Sequence, residues 1–364
     1  MKFLCERNIL LKEISMAQEI ISAKNAISIL SNIFFEAENG SLTIKSTDLK
    51  VNFETKIPIT VLEAGVALVF GDKFLDIIST VPEGEIEFEY KDNKMKIKTL
   101  VKKYSFQLKS MASDKFPELP TSDKEYFEIP IKSFKEMISQ TIFAVSDDET
   151  RYFMNGVYLE KSGNKIVMVA TDGRRLAFIE KEFDNIIDFP GVIVSSKILN
   201  IIMKRAGDEG LIALSVTDKM IFVKYGSYCF SSVLIDGQFP NYRKVIPEEQ
   251  QYSFTVNRVD MIDALKCVSK AVEQKSHRIF LGLKTGSIEI YSEEGEIADG
   301  KGEIPCKYDG EEINLAMNYR YIEEPFKVMQ DEEICIRFSN ASKAITIVPV
   351  PQTDFFHIVM PMQS

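Results

Sequence analysis

One order of elements recurs along this chain at a spacing near 120 residues, and no other feature of the sequence restricts its fold as strongly. In the first passage, residues 8–22 set Leu10, Ile14, Ala17 and Ile21 at spacings of 4, 3 and 4, the period of an amphipathic helix. The strand-like runs SNIFFEAENG, SLTIKSTD and LKVNFETKI follow, separated by polar or glycine-bearing breaks. A second helix, GDKFLDIISTV, leads into EIEFEYKDNKMKIKTLVKKYSFQLKSM, which alternates apolar and polar residues, and the block ends at Phe116-Pro117.

The same order then repeats. FEIPIKSFKEMISQTIFAVS reads as a strand and a helix with Phe134, Ile138 and Ile142 in step, followed by strands in FMNGVYLEKSG, NKIVMVATDG and RRLAFIEKEF. SSKILNIIMKRA is the second helix, LIALSVTDKMIFVKYGSYCFSSVLIDG supplies more strands, and the block ends at Phe239-Pro240. Thr47-Asp48 returns as Thr171-Asp172, 124 residues on, and Phe116-Pro117 returns as Phe239-Pro240, 123 residues on. A third copy, from FTVNRVDMIDALKCVSKAVEQ to EICIRFSNASKAITIVPV, matches in element order more than in residues. Each copy is doubled internally, with one helix and several strands per half. A period this long marks duplicated domains and not a short solenoid repeat.

The expected fold class is therefore α+β: three repeated domains at residues 1–122, 123–247 and 248–364, each with helices on one face of an antiparallel sheet. Three such units in line make an arc with all helices on one side, and an arc can close by pairing with a second copy. At 364 residues and 45% hydrophobic content the chain can fill several cores. No apolar run approaches the roughly 18 residues that span a bilayer. The N-terminus interleaves charge with apolar residues from Glu6 onward, unlike a signal peptide, so a cytoplasmic protein is expected.

Cys5, Cys229, Cys267, Cys306 and Cys335 stand far apart with no CxxC pair, which favours reduced, mostly buried thiols over disulfides or zinc. His277 and His357 belong to no ligand motif, and neither a metal nor another cofactor is expected. The net charge of −10 argues against a uniformly nucleic-acid-coated protein but leaves room for a local basic surface. SSKILNIIMKRA carries Lys197, Lys204 and Arg205 with no acid, and Lys24 follows the first helix. Solvated helix faces commonly look like this; on helices sharing one side of an arc, the same residues make a basic lining that meets phosphates without reading bases.

VATDGRRLAF places Asp172-Gly173 between two alternating runs, a short hairpin signal, with Arg174 and Arg175 directly after it. A phosphate loop would instead lead into a helix. Asp147-Asp148-Glu149 can be read as metal ligands or as a solvated loop, and the lack of a companion cluster favours the loop. Serine-nucleophile and GxxxxGK[ST] motifs are absent, so no catalytic constellation assembles. The end of the chain, FFHIVMPMQS, stays apolar to within two residues of the terminus, and Met360 and Met362 are adaptable side chains where termini are usually polar.

Taken together, MKF at the start, ILSN around Leu30, FPELP at Phe116, RYFMNG at Arg151, VATDGRRLAF, DGQFPNYRKVIP at Asp236 and the closing VMPM resemble the bacterial DNA polymerase III beta subunit family, the replicative sliding clamps, over essentially the whole chain. The resemblance implies a head-to-tail homodimeric ring of six domains around double-stranded DNA. It implies no catalysis, opening by a clamp loader, and docking of the polymerase alpha subunit, other polymerases and repair proteins through short peptides. It places a peptide groove at Met154, Thr171, Gly173, Arg174, Arg175, Leu176, Pro240, Lys244, Val245, His277, Ser342, Ala344, Ile358, Val359, Met360, Pro361 and Met362. It places Lys24, Arg151, Tyr152, Phe153 and Lys197 near DNA, and it sets Phe106 and Leu108 of one chain against Ala271 and Val272 of the other. The chain departs from the family pattern at Arg174, where His or an aromatic is common, at Lys244 and His277, and in its Gln363-Ser364 ending. The readings that compete are a hydrolase built on Asp147 and Asp148 and a peptide-binding scaffold that never meets DNA.

Overall fold

The computed structural model describes residues 1–21, 28–111, 116–293 and 298–363. The first repeat runs β1 (Lys2–Glu6), α1 (Arg7–Ile20), β2 (Asn32–Glu38), β3 (Ser41–Thr47), β4 (Val51–Pro58), β5 (Thr60–Glu63), β6 (Gly65–Phe70), α2 (Gly71–Thr80), β7 (Glu85–Lys91), β8 (Lys94–Thr99) and β9 (Ser105–Met111). The second runs β10 (Phe127–Pro130), α3 (Ile131–Ser139), β11 (Gly156–Ser162), β12 (Lys165–Thr171), β13 (Arg175–Glu182), β14 (Val192–Ser195), α4 (Ser196–Arg205), β15 (Leu211–Val216), β16 (Met220–Tyr225) and β17 (Tyr228–Val233). The third runs β18 (Tyr252–Asn257), α5 (Arg258–Val268), β19 (Arg278–Lys284), β20 (Ser287–Ser292), β21 (Lys301–Lys307), β22 (Ile313–Asn318), α6 (Tyr319–Val328), β23 (Glu333–Phe338), β24 (Ile345–Val350) and β25 (Phe355–Val359).

Among the described residues every α-helix begins at the residue after a strand ends, so the strand fixes which helix face meets the sheet. Asn257 and Asn318 cap α5 and α6, their side-chain oxygens accepting the otherwise orphaned amides of Val259, Asp260 and Arg320. Of the stripe anticipated on α1, Leu10, Ile14 and Ala17 are fully enclosed, whereas Ile21 is buried just past the helix, and Ile20 takes the last inward position within it. α3 is shorter than its pattern suggested. It stops at Ser139, and Ile142 falls in a separate 3-10 turn. Cysteine burial also differs from expectation: Cys5 and Cys306 are buried, Cys229 and Cys335 are half-buried, and Cys267 is exposed, all as free thiols.

The chain forms two compact units, Met1–Lys132 with Asn200–Leu234, and Ser133–Leu199 with Ile235–Ser364. All strand pairs are antiparallel. The first unit holds one sheet in the order β10-β15-β16-β17-β4-β3-β2-β6-β9-β8-β7-β1-β5, and the second holds β14-β11-β12-β13-β25-β24-β23-β18-β21-β20-β19-β22. Each sheet therefore crosses a junction between repeats: β17 of the second copy pairs with β4 of the first, and β25 of the third pairs with β13 of the second.

The two junctions share one register. Phe53 on β4 lies opposite Ser46 within its own repeat and opposite Phe230 across the junction; Ala177 on β13 lies opposite Ala170 and, across the junction, His357. Phe230 and His357 are themselves equivalent, paired within their repeats with Val223 and Ile347. The rings at these points pack closely, Phe53 on Phe230 at 5.1 Å and His357 on Phe143 at 5.3 Å.

Candidate peptide cleft and DNA-facing residues

The hairpin anticipated in VATDGRRLAF joins β12 to β13, with Thr171 opposite Leu176. Gly173 takes φ +87°, and a Cβ there would stand 3.0 Å from Nη1 of Arg151, so both backbone conformation and space select glycine. Asp172 organises the turn: its Oδ1 accepts the amides of Arg174 (2.9 Å) and Arg175 (3.1 Å). Arg151 donates from Nη1 to the Asp172 carbonyl at 3.0 Å. The two arginines then diverge. Arg175 is held by Asp172 and Glu324, donates to the Phe143 carbonyl, and stacks on Tyr321 with its guanidinium carbon 4.6 Å from the ring centre. Arg174 is exposed, and among the described residues its guanidinium has no hydrogen-bond or ion-pair partner.

Beside this hairpin lies an apolar cleft of about 160 Å³, lined chiefly by Met154, Leu176, Pro240, Val245, Ile358 and Met360, with Thr171, Gly173, Arg174 and Arg175 at its edge. Its floor follows from strand alternation. Leu176 pairs with Ile358 and Phe178 with Phe356, so all four share a sheet face with Val167 and Val169, and Phe239 and Tyr242 cover that face. Tyr242 is anchored through its hydroxyl, which donates to Oε1 of Glu160 at 2.5 Å. Burial first, then the Glu160 carboxylate, push that hydroxyl's pKa up, so it remains a donor. The last strand is tied to the hairpin by the Met360 amide, which donates to the Arg174 carbonyl at 2.9 Å. Val245 and Met360 are 55% and 46% exposed, an unusual state for large apolar side chains that face each other's cleft.

Other expected groove residues sit around this cleft. Ala344 is half-buried against its floor, Lys244 is exposed beside Val245, and Ser342 is exposed on a turn held by Asn340. Pro361 and Met362 are half-buried beyond β25, the Met362 amide donating to the Ala316 carbonyl at 2.7 Å. Val359 departs from expectation. It pairs with Arg175 and Ile345, lies on the opposite sheet face from Ile358 and is buried, so it supports the cleft from behind. Tyr242 and Asn241 line the cleft without having been expected there, although both lie inside the DGQFPNYRKVIP motif.

His277 belongs to an adjoining polar cavity of about 420 Å³ that also takes in Asp147, Asp148, Arg151, Asp172, Arg174, Arg175, Asn318, Arg320, Tyr321 and Glu324. Burial, and secondarily Arg320, hold its imidazole below the ordinary pKa, leaving it neutral near pH 7. Asp148 accepts from Thr150 and pairs with Arg151 at 2.9 Å, which keeps its carboxyl below its usual range. Among the described residues no group of His, Cys, Asp and Glu could hold a metal; Asp148 caps a 3-10 turn that begins at Glu149, and Asp147 precedes it.

The expected DNA-side residues fare unevenly. Lys24 lies outside the described residues. Tyr152 is exposed, but Phe153 packs against the aromatic layer under the cleft. The Lys197 amide donates to Oγ of Ser195 at the start of α4. Lys204 and Arg205, read as acid-free, both pair with Glu19 of α1, Lys204 at 2.7 Å. Burial raises the Glu19 pKa, and the hydrogen bonds from Arg205 and Lys204 outweigh it and lower it overall. The local positive charge is thus partly cancelled by an acid from another helix. No helix among the described residues is long and apolar enough to cross a membrane.

Besides the strands that end each sheet, two strands within the sheets keep one side largely unpaired among the described residues. β9 pairs with β8 along Ser105–Lys109 but meets β6 only at Ser110 and Met111. β21 pairs with β20 over Lys301–Pro305 and meets β18 only at Cys306 and Lys307. Phe106 and Leu108 are half-buried on one face of β9, and Ala271 and Val272 are half-buried just beyond α5.

Comparison with known proteins agrees with this architecture. The DNA polymerase III beta subunit family matches in all three of its parts: the N-terminal domain at residues 1–120, the central domain at 128–241 and the C-terminal domain at 243–363. The chain is 46% identical to the beta sliding clamp of Treponema pallidum over 370 residues and 27% identical to that of Halalkalibacterium halodurans over 384, covering 100% of both chains in each case. Among solved structures it resembles a sliding clamp (DNA polymerase III subunit beta) from Bartonella birtlesii bound to griselimycin, with a TM-score of 0.96, 27% identity and 100% of each chain covered. It likewise resembles the sliding clamp of Bacillus subtilis, with a TM-score of 0.94, 25% identity, and 100% and 99% of the two chains covered. Three clamp-type α+β domains, repeated in order across the full length, place this chain in the bacterial DNA polymerase III beta subunit family, the sliding clamps, which are processivity factors without catalytic activity of their own.

Proposed function

We propose that two copies of this chain close head to tail into a ring around duplex DNA in the cytoplasm, where the ring tethers the replicative polymerase and docks other proteins through the cleft at Leu176, Val245 and Met360. The observation that carries this reading is the pair of open edges on β9 and β21. Within the chain, the strand equivalent to β21 is twice joined by the strand equivalent to β9, in one register. Gly300 stands where Phe53 and Ala177 stand, opposite Ser292, and Phe106 stands where Phe230 and His357 stand, opposite Ile97. Carrying the register to the third junction sets Phe106 of one protomer opposite Gly300 of its partner and Lys103 opposite Glu303.

The chemistry of the edges supports that register. A Cβ on Gly300 would come within 3.0 Å of the Ala271 Cβ, so the absent side chain leaves space over Ala271 for the Phe106 ring. An open strand of this kind otherwise invites uncontrolled pairing, and a specific second copy covers it. A ring needs no base contacts, which fits a protein of net charge −10 whose cations are local. A clamp loader would open one seam, and partners such as the polymerase alpha subunit and repair enzymes would present short apolar peptides to the cleft. The griselimycin-bound relative supports a ligand-accepting surface on this fold.

Topology tests the ring. Protein loaded by its cognate loader onto nicked circular duplex should be retained through gel filtration and lost when the same circle is linearised. Equal retention on both would indicate ordinary surface binding. No retention on either, with the cleft still binding peptides, would favour a scaffold that does not use DNA.

A further inference from the structure

The cleft and the polar cavity share a wall, and one of the two arginines in it has no ion-pair partner among the described residues. Arg174 and Arg175 line both spaces. Arg175 is consumed by Asp172 and Glu324. Of the other charges around the cavity, Asp148 and Arg151 neutralise each other. Arg320, at the start of α6, is exposed, donates to the Tyr319 hydroxyl at 3.5 Å and, among the described residues, makes no ion pair, Glu324 and Glu323 attracting it only at longer range. Its neighbours along the helix are engaged elsewhere, Glu323 with Lys327 at 2.9 Å and Glu324 with Arg175. What remains unpaired among the described residues is two guanidinium groups, Arg174 and Arg320, against one carboxylate, Asp147, around a cavity that opens beside an apolar cleft.

We propose that this cavity is an acidic-residue subsite: the peptides that dock here carry one or two carboxylates beside their apolar anchors, and Arg174 and Arg320 select them. This rests on the docking reading above and specifies its ligand. An apolar anchor in the cleft fixes the peptide, and the flanking carboxylate then meets a fork of donors already placed by the hairpin and by the first turn of α6. Arg174 has its own backbone committed on both sides, its amide to Asp172 and its carbonyl to Met360, so its position is set by the same contacts that shape the cleft. The choice of occupant follows from charge complementarity. A neutral or basic flank would leave both cations unpaired, and a basic one would add repulsion.

Fluorescence anisotropy with labelled ten-residue peptides tests this on the full-length protein. All carry the same leucine and phenylalanine anchors, flanked on either side by Asp-Asp, Asn-Asn or Lys-Lys. The aspartate peptide on one side should bind about 5-fold more tightly than its asparagine counterpart at low salt, as two rim ion pairs predict, and the gap should close at high salt. In the Arg174→Gln, Arg320→Gln double variant that gap should vanish, so that the aspartate and asparagine peptides bind that variant equally. Equal binding of aspartate and asparagine peptides on both sides would overturn the inference while leaving the cleft intact. So would a double variant that keeps the gap, or one that loses duplex DNA binding with no change for any peptide. Failure of every peptide to bind would remove the docking reading, and this inference with it.

Discussion

His357 shows how one residue can occupy a structural position and alter its chemistry. Its counterparts are Phe106 and Phe230, yet here an imidazole is buried, with Nε2 3.2 Å from Oε1 of Gln140 and no partner on Nδ1 among the described residues. Burial, and then the Arg175 cation, depress its pKa to about 3. In the unfolded chain the group titrates near its ordinary value of about 6.5. Between those values the unfolded state binds a proton that the folded state refuses, so stability falls as pH drops through that window. His357→Phe should therefore flatten the acid side of the melting profile. It should also cost about 1–2 kcal/mol near neutrality for the stripped Gln140 oxygen. Thermal melting of both proteins from pH 8 to pH 4 checks this, since the carboxylates common to both cancel in the difference. Parallel profiles would show that the ring protonates in place.

At the scale of elements, the same junction recurs twice with different side chains, and the proposed seam would be the version most sensitive to bulk. Gly300→Val would push a side chain into Ala271 and into the space assigned to Phe106, so dimerisation should weaken about 10-fold or more, by the usual cost of overpacking. Sedimentation equilibrium measures it, with Phe106→Asp, Leu108→Asp as the fully dissociated reference. An unchanged dimer would mean that the seam uses another register. What was legible in the sequence were local signals. The α1 stripe, the Asp-Gly hairpin and the offset of 124 residues each depend on neighbours a few positions apart or on literal repetition. Glu19 cancelling Lys204 and Arg205 was invisible because the partners lie 185 and 186 residues apart and meet only when α1 and α4 approach. The orientation of Val359 was hidden for a different reason: β25 has apolar residues on both faces, so alternation carried no sign. The third repeat read faintly because residues 293–300 intervene where three-residue turns join the corresponding strands in the first two copies.

For the whole molecule, the division into two sheets changes what counts as a part. The central repeat contributes β10 and β15 to β17 to one sheet and β11 to β14 to the other. Heat should therefore melt the protein in two calorimetric steps, following the units Met1–Lys132 with Asn200–Leu234 and Ser133–Leu199 with Ile235–Ser364. Three steps of similar size would show that each repeat unfolds by itself. The repeated segment and the compact unit are out of phase, since each unit joins one outer repeat to part of the central one. A central repeat expressed alone would carry two raw strand edges, β13 and β17, each severed from its neighbour. Ancestry and cohesion thus cut this chain at different places, so a fragment trimmed to the boundaries of one copy would inherit its lineage intact and its architecture broken.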